Sequence, residues 1–534
     1  MVVMRRKLTT ITRVLAAILA LLMFASCRRG DIEPPDGDID IVEPTPPEQT
    51  VLTTIPLAIP SGDGRFSLRY NKHATFNPLI GTDPDNMFAS GLMYESLFVL
   101  DENFIPQNVL CESYETEDSK TYDFTFRDGI LMSDGEPLSA YDIIYSLNMA
   151  RNNPKYKYRL RNIDTVSAVG TRVVRVTLKT ADARFPALLD IPIIKDGTAG
   201  LTPRGSGAYI FDEDIDGTPR LIKNMYYHNA DTLPIGVIDL MSCTDAQLGE
   251  RFTDSIIDIF VDNPSNPKTT VRRDHEIRYY NTTVLQFIGF NPRAAAIDNV
   301  KFRTAVALTV NRAAIVRDIL DTRAVAAPLA FHPSYRLYDK TWEVENTGNL
   351  SEMLTELGLA DTNSDTYLEF PVDGEMVPFA IDFIVSNENP TRVAAAKTVA
   401  NALRHVGVNV ILRELPYDDF KTALEDGAFD MYYGETRISA GFDFAPLIGT
   451  DGAVNYGNMT GYYKELSEFA AARGDFAERN AARALATKIR DEVPFIPIAY
   501  LQYAVHSGRN EITGITPSQS GIFWNIADWT IDVK

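Results

Sequence analysis

The chain reads as an α/β protein of several units. Three observations predict this. Between Phe379 and Tyr433 the residues spell strand–helix–strand–helix–strand; elsewhere the hydrophobic period keeps switching between two and about 3.6; and 534 residues, 45% of them hydrophobic, suffice for about three ordinary domains. In order along the chain, Phe66, Leu68 and Tyr70 alternate as in a half-buried strand, and so do Tyr122, Phe124 and Phe126 before the Asp128-Gly129 turn. Ser139 with Asp142 makes a capping-box start for a helix carrying Ile143, Leu147 and Ala150, and Val174, Val176 and Leu178 alternate again. From Asp298 to Leu320 apolar residues recur at helical spacing (Val306, Val310, Ile315, Ile319), with Asp298 as N-cap. In the most regular stretch, a strand at Ile381–Val385 leads to a helix from about Thr391 to Val406, stopped by Gly407. A strand at Val408–Leu412, a short helix at Tyr417–Leu424, Gly427 and a strand at Phe429–Tyr433 complete it. Such an order predicts a mostly parallel sheet.

The N-terminal residues predict an address and a rope. Arg5, Arg6, Lys7 and Arg13 precede an apolar run from Val14 to Ala25, which as a helix rises only about 18 Å, too short to span a bilayer. A basic start, a short apolar run and small residues before Cys27 are the pattern of an export signal. Between Asp31 and Thr50 seven acidic residues and five prolines cannot bury enough apolar surface to order, so 28–58 is expected to be a disordered acidic, Pro-rich tether.

Charge and motif content narrow the function. A formal charge of −21 repels phosphate backbones and argues against nucleic-acid binding. Three cysteines are too few for a disulfide scaffold, and the six histidines show no i, i+3 or i+4 pair, so neither a metal site nor a cofactor is expected. Gly205-Ser206-Gly207 lacks the lysine of a phosphate loop and the spacing of a nucleophile elbow, which leaves a plain turn. No constellation for catalysis stands out, and the chain is read as a non-enzyme.

Several stretches resemble, in order, the family 5 extracellular solute-binding proteins, the oligopeptide-, dipeptide- and nickel-binding subunits of ABC importers. They are M-Y-E-S-L-F-V-L-D from Met93; T-Y-D-F-T-F-R-D-G and S-D-G-E-P-L-S-A-Y-D up to Asp142; Gly205-Ser206-Gly207-Ala208-Tyr209; Phe290-Asn291 with Arg303, Ala305, Arg312 and Ile315; the Val408–Tyr433 unit; and Pro494-Phe495-Ile496-Pro497-Ile498. Met132 stands where the family usually has tryptophan, and Asn311 where it usually has aspartate. Phe24-Ala25-Ser26-Cys27 resembles a bacterial lipobox, whose cysteine is acylated. The resemblance implies a bilobal periplasmic-binding-protein-like fold of type II, cluster C-like, with a small inserted domain. On that pattern 1–27 is signal peptide and lipobox, 59–96, 205–283 and 501–534 form lobe I, 97–204 is the inserted domain, and 284–500 is lobe II.

The implied protein is exported and held by its lipid at the outer face of the cell membrane or in the periplasm. It acts as a monomer that captures a peptide or peptide-like solute by hinge closure and passes it to an ABC permease. In peptide-binding members an aspartate followed by an aromatic residue and a proline pairs with the peptide amine; Asp443-Phe444-Ala445-Pro446 matches that place, although Ser439-Ala440-Gly441-Phe442 lacks the family's preceding tryptophan. Asn291 belongs to the matched strand end. From the residues themselves, Arg437 offers a planar fork for a solute carboxylate. Tyr432, Tyr433, Tyr500 and Tyr503 fall near strand ends expected to face a cleft, and Asp85 and Asn86 sit in a loop before the first lobe-crossing segment. An exported hydrolase, or a surface sensor or adhesin on the same fold, remains the alternative.

Overall fold

The computed structural model describes residues 66–264, 270–293, 295–343, 350–457, 459–509 and 511–532. The export signal, Cys27 and the 28–58 tether lie outside the described residues. Among the described residues no helix is long and apolar enough to cross a membrane.

Three sheets organise the body. The first has strand order Phe66–Arg69, Val237–Met241, Pro219–Lys223, Tyr209–Glu213; its first pair is parallel (Phe66 opposite Ile238) and the others antiparallel. The second is antiparallel, with order Cys111–Glu115, Thr121–Phe126, Val173–Leu178, Ile163–Val169. In it Tyr122, Phe124 and Phe126 point inward and alternate with half-exposed residues, as the period-two pattern predicts. Helix Ala140–Asn152 starts on the expected capping box: the Ser139 side chain meets the Asp142 backbone while the Asp142 carboxylate accepts from Ser139 N at 2.8 Å. One apolar cluster, including Phe66, Leu68, Tyr122, Phe124, Ile143 and Tyr209, runs beneath both sheets. The Gly205–Gly207 turn belongs to it by close approach. A Cβ on Gly207 would lie 2.3 Å from the Met93 carbonyl carbon, so glycine is needed for packing against that backbone.

The third sheet has seven strands, in order Ile259–Asp262, Phe495–Gly508, His275–Phe290, Met431–Arg437, Ala380–Ser386, Asn409–Leu415, with Ala324–Ala326 alongside Phe495–Gly508. It is mixed rather than mostly parallel. Only Ala380–Ser386 with its two neighbours is parallel, where helices Pro390–His405 and Tyr417–Asp426 provide the crossovers; the long strands His275–Phe290 and Phe495–Gly508 run antiparallel. Gly407 and Gly427 end those helices in left-handed conformations, φ 87° and 65°. The long pair loses register between Asn281 and Leu285, close to the expected boundary between lobes.

The helical reading from Asp298 to Leu320 needs correction. Asp298 ends a short turn of helix, Ala295–Asp298, and Asn299 caps Val300–Thr309 by accepting from Lys301 N. Asn311 then caps a separate helix, Arg312–Asp318, by accepting from Ala314 N at 3.0 Å. Two asparagines that compete for backbone N–H groups break what periodicity alone reads as one helix.

Candidate functional site

A cavity of about 1500 Å³ lies among residues of all three sheets' surroundings. Phe88, Tyr94 and Glu95 line it from the chain near the first sheet, the Lys155–Arg161 segment from the second, and the loop after strand Met431–Arg437 from the third. The C-terminal residues Gln519–Trp524 close another side.

Of the candidates from sequence, Asp443 and Arg437 line this cavity. Asp443 is engaged on both oxygens: one accepts from Ala445 N at 2.9 Å, and the other meets the Arg161 guanidinium at 2.5 Å, each side chain 40% exposed. Arg161 is itself braced. Its guanidinium lies 4.0 Å from the Tyr158 ring centre and donates to the Tyr158 carbonyl at 3.2 Å, and its own carbonyl accepts from Lys179 Nζ at 2.8 Å. Arg437 donates a long hydrogen bond, 3.4 Å, to Gln519 Oε1, lies beside the Tyr503 hydroxyl, and has no carboxylate partner among the described residues.

The remaining candidates do not line the cavity. Phe444 is fully buried among Phe331, Phe442 and Phe495, because successive residues of the loop point to opposite sides of its backbone. Tyr432 and Tyr433 are buried on opposite faces of the third sheet; their hydroxyls donate to the Val454 carbonyl (2.6 Å) and Gln286 Oε1 (2.8 Å). Tyr500 is fully buried with its hydroxyl on the Ala330 carbonyl, and Tyr503 packs edge-on against Tyr280. A central strand covered on both faces has no side left for a cleft. Asn291 ties a turn, donating to the Gly427 and Phe429 carbonyls. Asp85 and Asn86 stand in helix Pro84–Ser90, which Asp83 caps and Pro84 starts, rather than in a loop; Asp85 pairs with Arg69 at 3.2 Å, and buried Asn86 donates to the Asn71 and Ala74 carbonyls.

The cavity's other charged groups were missed. Arg159 pairs with Asp190, whose second oxygen accepts from Ser520 Oγ at 2.7 Å. Arg184 stacks on Phe469, 3.7 Å from the ring centre, and Asp182 accepts from the Arg184 backbone; burial holds the Asp182 carboxyl above the usual range although the Arg184 charge opposes this. Lys155 donates to the Pro78 and Gly81 carbonyls at 2.8 and 3.0 Å, and burial pulls its ammonium down to about 8. Burial pushes the Glu95 carboxyl up to about 7, and its Oε2 has no hydrogen-bond partner. One signal in the sequence points here: Lys155, Lys157, Arg159 and Arg161 recur at every second residue, a basic run in a chain of charge −21. Chemically the site offers cations, hydrogen-bond acceptors and apolar walls to a guest; no nucleophile–base pair was identified in it. Among the described residues, one group of metal-capable side chains, Asp361, Asp365 and Glu369, lies on a loop and the start of strand Glu369–Val372, which do not line the cavity.

Comparison with known proteins places these features in a family. Residues 106–456 match the model for "Bacterial extracellular solute-binding proteins, family 5 Middle". The chain is 25% identical over 366 residues to the oligopeptide-binding protein AppA of Bacillus subtilis, covering 63% of this chain and 66% of AppA, just under two thirds of that relative's length. In three dimensions it is similar to AppA in complex with a nonapeptide (TM-score 0.63, 19% identity, 88% of this chain and 99% of the other). It is also similar to NikZ from Campylobacter jejuni in complex with Ni(L-His) (TM-score 0.65, 19% identity, 87% and 99%). At these identities the structural likeness establishes a shared bilobal α/β fold.

Proposed function

The chain belongs to the bacterial extracellular solute-binding proteins of family 5, and from that premise we propose that it captures a peptide or peptide-like solute and delivers it to the permease of an ABC importer. In this reading the protein is an exported monomer, held at the outer face of the membrane by an acylated Cys27 with the acidic tether as leash, and no bond in the solute is broken. A single myristoyl-length chain anchors only marginally, so stable attachment calls for more than one acyl chain on Cys27.

The observation that carries the proposal is the cavity of about 1500 Å³ with walls from three separate chain segments. That is more room than a single small metabolite needs and suits a short peptide or a chelate. The relatives' solutes, an oligopeptide and a nickel–histidine complex, are of these two kinds. Closure would bend the long strands His275–Phe290 and Phe495–Gly508 where their register breaks, between Asn281 and Leu285. A guest shifts such an equilibrium only through its preference for the closed state.

The test is to release what co-purifies with the full chain, identify it by mass spectrometry, and measure thermal shifts with short peptides and peptide–metal chelates. A guest at 100 times its dissociation constant stabilises by about 2.7 kcal/mol, a shift of a few degrees. An unmoved melting curve across both classes ends the reading. Unchanged solute uptake by a strain lacking this chain favours the sensor or adhesin alternative.

A further inference from the structure

We propose that Arg161 sets the guest preference of the cavity: standing on Asp443, it denies that carboxylate to a guest ammonium and selects solutes that carry a carboxylate and no free terminal amine. The inference rests on the solute-binding reading above and goes further in naming the solute's chemistry.

The geometry makes the case. Asp443 spends one oxygen on Ala445 N and the other on Arg161. An incoming ammonium would have to expel a guanidinium that is stacked on Tyr158 and hydrogen-bonded to its carbonyl, and would leave that cation within the same enclosed space. The pair bridges chain segments from different sheets, Arg161 just before strand Ile163–Val169 and Asp443 just after strand Met431–Arg437, so Arg161 reaches Asp443 from another wall. No other carboxylate inside offers a vacant ionised place. Asp190 is taken by Arg159 and Ser520, Asp182 faces Arg184 and Arg161, and buried Glu95 is held toward its neutral form; Asp451 is exposed.

The cations are in the opposite situation. Arg437 and Lys155 line the cavity without a carboxylate partner among the described residues, and Arg437 lies close enough to Arg159 for their like charges to act on each other. Six cations (Lys155, Arg159, Arg161, Lys179, Arg184 and Arg437) thus line the cavity with five carboxylates, of which burial holds Glu95 and Asp182 toward their neutral forms, a surplus of positive charge inside a protein whose net charge is −21. A guest carboxylate relieves that surplus, and the planar fork of Arg437 suits it in a bidentate pair.

Calorimetric titration of the full chain tests this with one tripeptide in three forms: free amine and carboxylate, N-acetylated with free carboxylate, and N-acetylated with C-terminal amide. The N-acetyl carboxylate form is expected to bind about tenfold or more tighter than either other form. Arg161→Gln is expected to improve free-amine binding and narrow that gap. Asp443→Asn, a second variant that keeps the arginine, is expected to leave the N-acetyl carboxylate form bound and the free-amine form weak. Tightest binding of the free-amine form by the wild type, unchanged by Arg161→Gln, overturns the proposal and leaves the solute-binding function standing. Binding of none of the three forms, and of no peptide–metal chelate, overturns both.

Discussion

Asp443 meets Arg161 across the cavity, whereas Asp85 meets Arg69 between a helix and the strand beside it. Both aspartates qualify as site residues on sequence. The Arg161–Asp443 side chains are each 40% exposed and come from elements of different sheets; those of Arg69 and Asp85 are 14% and 26% exposed and tie helix Pro84–Ser90 to strand Phe66–Arg69. Water and the space of the cavity reach the first pair. The second is fastened: Arg69 also holds Asp245 at 2.7 Å, and the neighbouring Asn86 bridges two backbone carbonyls. The two aspartates differ in what their partners span: elements of different sheets for Asp443, a helix and its neighbouring strand for Asp85.

Three experiments sharpen or break that contrast, from the largest effect down. Tyr500→Ala removes a fully buried ring and its hydrogen bond to the Ala330 carbonyl. A loss of about 3–5 kcal/mol in urea unfolding is expected. A variant that keeps its stability and loses its guest would put Tyr500 back in the site.

Acid sensitivity comes next, and it belongs to the scaffold. Burial lowers His332 to about 3 and His506 to about 4, His506 with some help from the charge of His275. A histidine whose folded pKa is depressed below the unfolded value of about 6.5 contributes stability that is intact above that value and drains away as pH falls toward the folded pKa. Going from pH 7.5 to 5, fully buried His332 alone accounts for a loss of roughly 2 kcal/mol. His332→Gln should reduce the slope of melting temperature against pH in that window; an identical slope would mean that His332 is not buried neutral.

Last come two polar variants, one in a helix and one in a loop. Asn86→Ala strands buried carbonyls and should cost about 1–3 kcal/mol with guest affinity intact in the folded fraction. Asp443→Asn should change stability by less than about 1 kcal/mol, since the pair is well solvated, and leave the preference for the N-acetylated carboxylate peptide in place. Matching stability losses for both would erase the distinction.

Local structure was readable wherever its cause was local. The Ser139/Asp142 capping box, the inward set Tyr122, Phe124 and Phe126, and the left-handed Gly407 and Gly427 stand as their neighbours in sequence dictate. The cap at Asn299 and the break at Asn311 carried signals too, since asparagine is a strong N-cap, but the apolar spacing overrode them. For the site, strand-end position misled: Tyr432, Tyr433 and Tyr500 lie in strands covered on both faces, and Phe442 and Phe444 fill a core that continues through Phe331 and Phe495. The basic run Lys155–Arg161 was visible but had no assigned partner.

By itself the sequence determined the alternation of strands and helices, the family, the overall negative charge and the place of Asp443 in the loop after strand Met431–Arg437, because periodicity, motif order and charge are properties of neighbouring residues. Only the tertiary structure decided that Arg161, 282 residues away in sequence, stands on Asp443, and that the tyrosines turn inward. Which charges meet across a cavity depends on how separate sheets face one another, and no local pattern encodes that distance.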